Sequence, residues 1–223
     1  MKRVSLLLSI AFIAIVIFSQ TGAQAVNVSF AQRFAGGPPM GDSGTYSFDK
    51  AHSFIGFKVN HMGLVEVPGF FRDFTGTVNF DNKDVTKSTV EFTAKATSVD
   101  TGVAGRDGHL RTKDFFEVEK FPDITFKSTL VTKKGKGYSV TGDFTMKGVT
   151  KSITFPFQIA GWLSADEKSG GKMGLAAETM INRRDYGINY GSNLPSGIAA
   201  VSDEIKIVLQ IEAGKKKDVP KAD

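Results

Sequence analysis

The sequence predicts an all-β fold, an eight-stranded antiparallel barrel or sandwich with one short helical insert. Three observations carry this. The dominant hydrophobic period along residues 45–214 is two, the repeat of a strand with one apolar and one polar face. Turn signals separate several of the alternating runs: Asp81-Asn82, Gly135-Lys136-Gly137, Lys147-Gly148 and Ser169-Gly170-Gly171. Only Ala104 to Lys120 mixes charged and apolar residues in a helical manner, and Pro122 ends it.

Taken in order, Ser53, Ile55, Phe57, Val59 and His61 share one face of the first run. Phe74, Gly76, Val78 and Phe80 form the second, and Val90, Phe92, Ala94 and Ala96 the third. Beyond the helical stretch come Ile124, Phe126, Ser128 and Leu130, then Tyr138, Val140, Gly142, Phe144 and Met146. Ile153, Phe155, Phe157 and Ile159 make the sixth run. Met173 to Ile181 and Ile205 to Ile211 make the last two. Eight such strands without a long helix fit a barrel or a sandwich.

The ends read differently. Lys2 and Arg3 precede an uncharged apolar run, Val4 to Phe18, and Ala23-Gln24-Ala25 follows. Those are the three parts of a secretory signal peptide, residues 1–25, cleaved after Ala25. The run is shorter than the ~18 residues of a spanning helix. The expected location is therefore the periplasm or another extracytoplasmic space, with no stable membrane insertion after cleavage. Residues 26–44 are rich in Gly and Pro and read as a flexible entry, residues 45–214 as one domain, and residues 215–223 as a Lys-rich solvated tail.

Composition narrows function. With no Cys, disulfides, thiolate metal sites, a Cys nucleophile and a lipid-modified Cys are all absent. The net charge of +5 sits mostly at the two ends, so no basic face for nucleic acid is expected. His52 and His61 flank one strand, about 30 Å apart if it is extended, so one metal cannot hold both; no metal site is expected. No G-x-S-x-G, H-E-x-x-H, P-loop or G-x-G-x-x-G occurs. Arg72, Arg106 and Arg184 each open an Arg-Asp dipeptide, and Arg111 and Arg183 lie beside two of these. Most of these guanidinium groups are expected to pair with loop carboxylates, and one of them to meet a polar ligand head. The inward faces combine many Phe with small residues (Gly76, Ala94, Ala96, Gly142, Ala177), a mixture compatible with a packed core or a lined cavity.

Several motifs then point to one family. Asp49-x-x-His52-Ser53-x-Ile55-x-Phe57-x-Val59-x-His61 resembles the opening strand of the YceI-like lipid-binding proteins. Val99-Asp100-Thr101-Gly102, Arg106-Asp107-x-His109-Leu110, Asp114-Phe115-Phe116 and Phe121-Pro122-x-Ile124-Thr125-Phe126-x-Ser128 continue the likeness. Gly142 to Lys151 is similar to the family's penultimate hairpin, and Ile181-Asn182-Arg183-x-Asp185-Tyr186-Gly187 to its late loop. The resemblance implies a lipocalin-like barrel with a hydrophobic tunnel, and a secreted, non-enzymatic protein that holds a polyisoprenoid, quinone or similar long amphiphile, with no other cofactor. On that basis the chain contacts are expected at Ile55, Phe57, Val59, Phe74, Phe92, Phe126, Phe144, Phe157 and Trp162, with Phe115 and Phe116 as a lid. The head group is expected near His61, Arg106, His109 and Tyr186. Two other readings stand beside this one: an enzyme acting on a lipid-like substrate, and a filled barrel with a structural or stress-related role. Oligomeric state is open, a homodimer included.

Overall fold

In a computed structural model that describes residues 41–135, 137–165 and 170–215, eleven strand segments form a single sheet closed on itself. The expected signal peptide and most of both expected terminal segments lie outside the described residues. The segments are β1 (Gly44–Phe48), β2 (Phe54–His61), β3 (Val65–Phe71), β4 (Phe74–Phe80), β5 (Thr89–Lys95), β6 (Val99–Asp100), β7 (Asp123–Lys134), β8 (Gly137–Met146), β9 (Val149–Leu163), β10 (Lys172–Asn182) and β11 (Val201–Lys215). One helix, α1 (Ala104–Arg111), interrupts them.

Eleven segments make eight staves, because three staves are broken in the middle. β1 runs on into β2, β3 into β4 and β5 into β6, and every pairing around the sheet is antiparallel. β11 closes the barrel: Val201 to Gln210 pair with β2, and Ala213 to Lys215 with β1. Side chains satisfy backbone groups that the breaks release. The Ser53 hydroxyl accepts from the Glu212 N–H at 2.8 Å and donates to the Glu212 carbonyl at 3.1 Å. Ser98 Oγ accepts from the Asp73 N–H at 3.0 Å. Each alternating run read from the sequence maps to one stave; β1, β3 and β6 are the half-staves it did not mark.

Inward alternation holds along most strands, with two informative departures. A β-bulge lies between Ser128 and Leu130 on β7, and the side-chain period slips by one beyond it. Leu130, expected inside, is 54% exposed, and Val131 is buried in its place. A second irregularity, at Ala160 opposite Gly174-Leu175, turns Trp162 inward and leaves Leu163 67% exposed.

The helix is shorter than Ala104 to Lys120. It ends at Arg111, where Thr112 takes an extended conformation and its hydroxyl donates to the His109 carbonyl. Gly105 and Gly108 already weaken helix propensity. The chain then folds back in turns: Phe116 N–H donates to Leu110 O at 3.0 Å and Val118 N–H to Arg111 O at 3.1 Å. The β8–β9 connection is the two-residue Lys147-Gly148, both at positive φ as a type I′ hairpin requires.

The small inward residues have a specific use. A methyl group at Gly76 would lie 2.3 Å from the Phe48 ring, one at Gly142 2.5 Å from Phe126, and one at Gly69 2.2 Å from Phe57. The glycines let aromatic rings lie flat against the wall. They do not open space by themselves.

Candidate functional site

The barrel interior holds two apolar lobes in line along its axis. The upper lobe, about 100 Å3, is lined by residues such as Ile55, Phe71, Phe144, Ile181 and Ile207. The lower lobe, about 80 Å3, is lined by residues such as Phe126, Phe155, Phe157, Leu175 and Leu209. Each has room for roughly five or more water-sized spheres, and no polar atom is exposed to either space, so both favour apolar contents over water.

The lower lobe is closed by aromatic side chains. Tyr46 meets Trp162 edge to face at 5.7 Å, and Phe80 lies 4.7 Å from Trp162. The upper lobe leads outward. Phe57, Val59, Leu110, Phe115 and Val201 line both it and a third cavity of about 280 Å3, which also touches Asn60, His61, Thr101, Arg106, His109 and Tyr190. This third cavity is the mouth.

The mouth is polar at its rim and ordered by a short network. The Thr101 N–H and hydroxyl both donate to buried Asp107, at 2.8 and 2.5 Å. Arg106 Nε donates to Thr101 Oγ1 at 2.7 Å and Nη2 to the Thr101 carbonyl at 2.8 Å. Its Nη1 makes no hydrogen bond among the described residues. His109 Nε2 is 2.9 Å from Asp114 Oδ2, and its ring packs edge to face on Phe115 and Tyr190.

Arg183 holds the loop that completes this end. Its side chain is 3% exposed, and it donates to the Ser202, Ile188 and Val201 carbonyls and to Asp203 Oδ1 at 2.9–3.2 Å. Burial pulls its guanidinium below the usual range, and the neighbouring Asp203 carboxylate opposes this.

The residues expected to contact a ligand chain fall in three groups. Ile55, Phe57, Val59, Phe92, Phe115, Phe116 and Phe144 line the upper lobe; Phe92, Phe126 and Phe157 line the lower. Phe115 and Phe116 come from the turns after α1. Phe74 is buried but faces neither lobe, and Trp162 belongs to the closed end. Of the residues expected near the head, His61, Arg106 and His109 meet at the mouth. Tyr186 does not join them. It sits in a turn of 3-10 helix, 1% exposed, edge to face with Phe144, and burial raises its hydroxyl pKa.

Sequence reasoning missed Tyr190, Thr101 and Leu110 at the mouth. Thr101 and Leu110 stand inside the family-like motifs, and Leu110 is also an apolar residue of the helical insert; Tyr190 carried no signal. Asp49, His52 and Glu212 bring three ligand-type atoms within 4.8 Å of one another. They lie on the outer wall, where Lys172 Nζ already meets Glu212 at 2.5 Å. No helix among the described residues is long and apolar enough to cross a membrane.

Known proteins share this architecture. Protein YceI of Escherichia coli O157:H7 is 37% identical over 175 residues, covering 77% of this chain and 87% of its own length. The crystal structure of the Campylobacter jejuni YCEI protein superposes with a TM-score of 0.62 at 30% identity, over 76% of this chain and 96% of that one. A polyisoprenoid binding domain from Saccharophagus degradans shares the fold, with a TM-score of 0.55 at 17% identity over 77% of this chain and 98% of its own. The YceI-like domain pattern matches residues 46–213, from the first stave to the end of the last, and with a two-lobed apolar interior opening at one end this chain belongs to the YceI-like domain family.

Proposed function

We propose that the protein is an extracytoplasmic carrier that holds the chain of a long amphiphile, a polyisoprenoid, quinone or similar lipid, in its barrel. The observation that supports this best is the continuity of an apolar interior with a polar-rimmed mouth. In water each exposed methylene of such a chain costs about 0.8 kcal/mol. The two lobes replace that water with Phe, Ile, Leu and Val side chains, and Arg106, His61 and His109 stand where a head group would remain solvated. The polyisoprenoid binding of the Saccharophagus degradans domain lends the ligand class.

Binding, not turnover, is the reading the mouth supports. His109 is paired with Asp114, and no hydroxyl among the described residues hydrogen-bonds to its ring nitrogens. A Ser or Thr nucleophile needs such a base within reach. No resident cofactor or metal enters this reading; the amphiphile is the ligand.

Native mass spectrometry of the secreted protein, followed by organic extraction, tests it. A prenyl or quinone-like mass at near-stoichiometric level is expected. A protein that leaves the cell empty, and stays empty after incubation with prenyl lipids, overturns the carrier reading in favour of a filled barrel.

A further inference from the structure

The two lobes have one lining residue in common, Phe92. On every other stave that lines both lobes, the change from one to the other falls between different side chains. Ile124 belongs to the upper lobe and Phe126 to the lower; Phe144 to the upper and Val140 to the lower; Ile181 to the upper and Ala177 to the lower; Ile207 to the upper and Leu209 to the lower. These steps all lie at one level of the barrel. Phe92 stands at that level and lines both spaces.

Its neighbours explain how it is held there. Phe92 pairs across the sheet with Gly76 on β4 and with Phe126 on β7. The Phe126 ring lies against Gly142 on β8, and Phe92 stacks on it with centroids 5.8 Å apart at 27°. Phe48 covers Gly76 on the other side. The stack belongs to one wall of the barrel, on adjacent strands β5 and β7. Phe92 is 9% exposed.

We infer that Phe92 sets the length of chain this barrel accepts. The inference rests on the carrier reading above. A chain entering at the mouth fills the upper lobe without disturbing the stack. A longer chain reaches the lower lobe only by displacing the Phe92 ring from Phe126. Chain-length selection therefore resides in one side chain, and the lower lobe is a reserve open to ligands that move it.

Saturated primary alcohols of increasing length, each competing with a bound apolar fluorescent dye, test this. While each added methylene is buried, affinity rises about fourfold per methylene. In the wild type the rise is expected to stop at the length that fills the upper lobe. Phe92→Leu is expected to carry the rise to longer alcohols, and Phe92→Trp to stop it no later than in the wild type and to weaken the longest ones at least tenfold. Phe92→Met is a second reduced ring-free variant if the leucine protein does not fold. A break at the same length in all three proteins, or an unbroken rise in the wild type, overturns the inference and leaves the carrier reading standing. A wild type that takes up neither dye nor alcohol overturns the carrier reading, and the inference falls with it.

Discussion

The two ends of the barrel are closed by different means. At the lower end the strands close themselves: Tyr46, Phe80, Met173 and Trp162 all project from staves, and the chain at Gly41 lies against the Trp162 ring. At the upper end the strands stop short, and α1 with its following turns and residues 183–200 build the mouth. That end also carries exposed Leu64, Val65, Val103, Tyr190 and Ile198, whereas the lower half has exposed Leu130 and Leu163. A closure made of strand side chains is stable with the sheet. A closure made of loops depends on whatever pins the loops, and here that pin is a buried arginine.

The largest effect is therefore expected from Arg183. Arg183→Met removes four hydrogen bonds and leaves the Ile188, Val201 and Ser202 carbonyls without their donor. Breaking a buried charged network in this way costs about 3–5 kcal/mol. The midpoint of chemical denaturation should fall accordingly, and hydrogen exchange should quicken first in residues 183–203. A loss below about 1 kcal/mol would mean that the mouth loop is held by something else.

Trp162→Ala tests the other end. A fully buried aromatic costs about 3–5 kcal/mol on truncation. Trp162 is partly buried, so about 2–3 kcal/mol is expected. The contrast lies in where the damage appears. Exchange should quicken around β1, β9 and β10 and stay unchanged at the mouth. If Trp162→Ala loosened residues 183–203 as much as Arg183→Met does, the two ends would be one cooperative unit and the comparison would fail.

The same division governs how much was legible in the sequence. Staves are read from a period of two, and the inward residues of β2, β4, β5, β8, β10 and β11 follow directly from it. The reading failed where a bulge changes the period, at Leu130, because one extra residue leaves no compositional mark. It stopped short at β3, where Val65-Glu66-Val67-Pro68-Gly69 has a proline and a glycine in the run. At the mouth, the family resemblance led to His61, Arg106 and His109, but it also led to Tyr186 and passed over Tyr190. Both are tyrosines of one loop. Which of them is buried beneath Phe144 and which faces the cavity is decided by the turn that Asn182 initiates, its side chain accepting from the Arg184 N–H.

The smallest effect belongs to neither end. His52 lies at the break between β1 and β2, its Nδ1 2.8 Å from Asp49 Oδ2 and 4.0 Å from Glu212 Oε1. The hydrogen bond that His52 donates to Asp49, then the Asp49 and Glu212 charges, raise the imidazole above its ordinary value of 6.5. The same hydrogen bond holds the Asp49 carboxyl below 3.8. A raised folded-state pKa means that the His52 contribution is complete below about pH 6.5 and is lost as pH rises through the raised value. The Asp49 contribution is present above about pH 3.8 and is lost as pH falls through its lowered value. The pair thus supports the barrel in a window between the two. Because His52 is solvent-exposed, the shift in denaturation midpoint should be small. His52→Gln should therefore trail the wild type at about pH 5 and match it at about pH 9. An equal gap at both values would mean that the break is held by the Ser53–Glu212 hydrogen bonds alone, and that the middle of the barrel, like its lower end, is closed by the sheet itself.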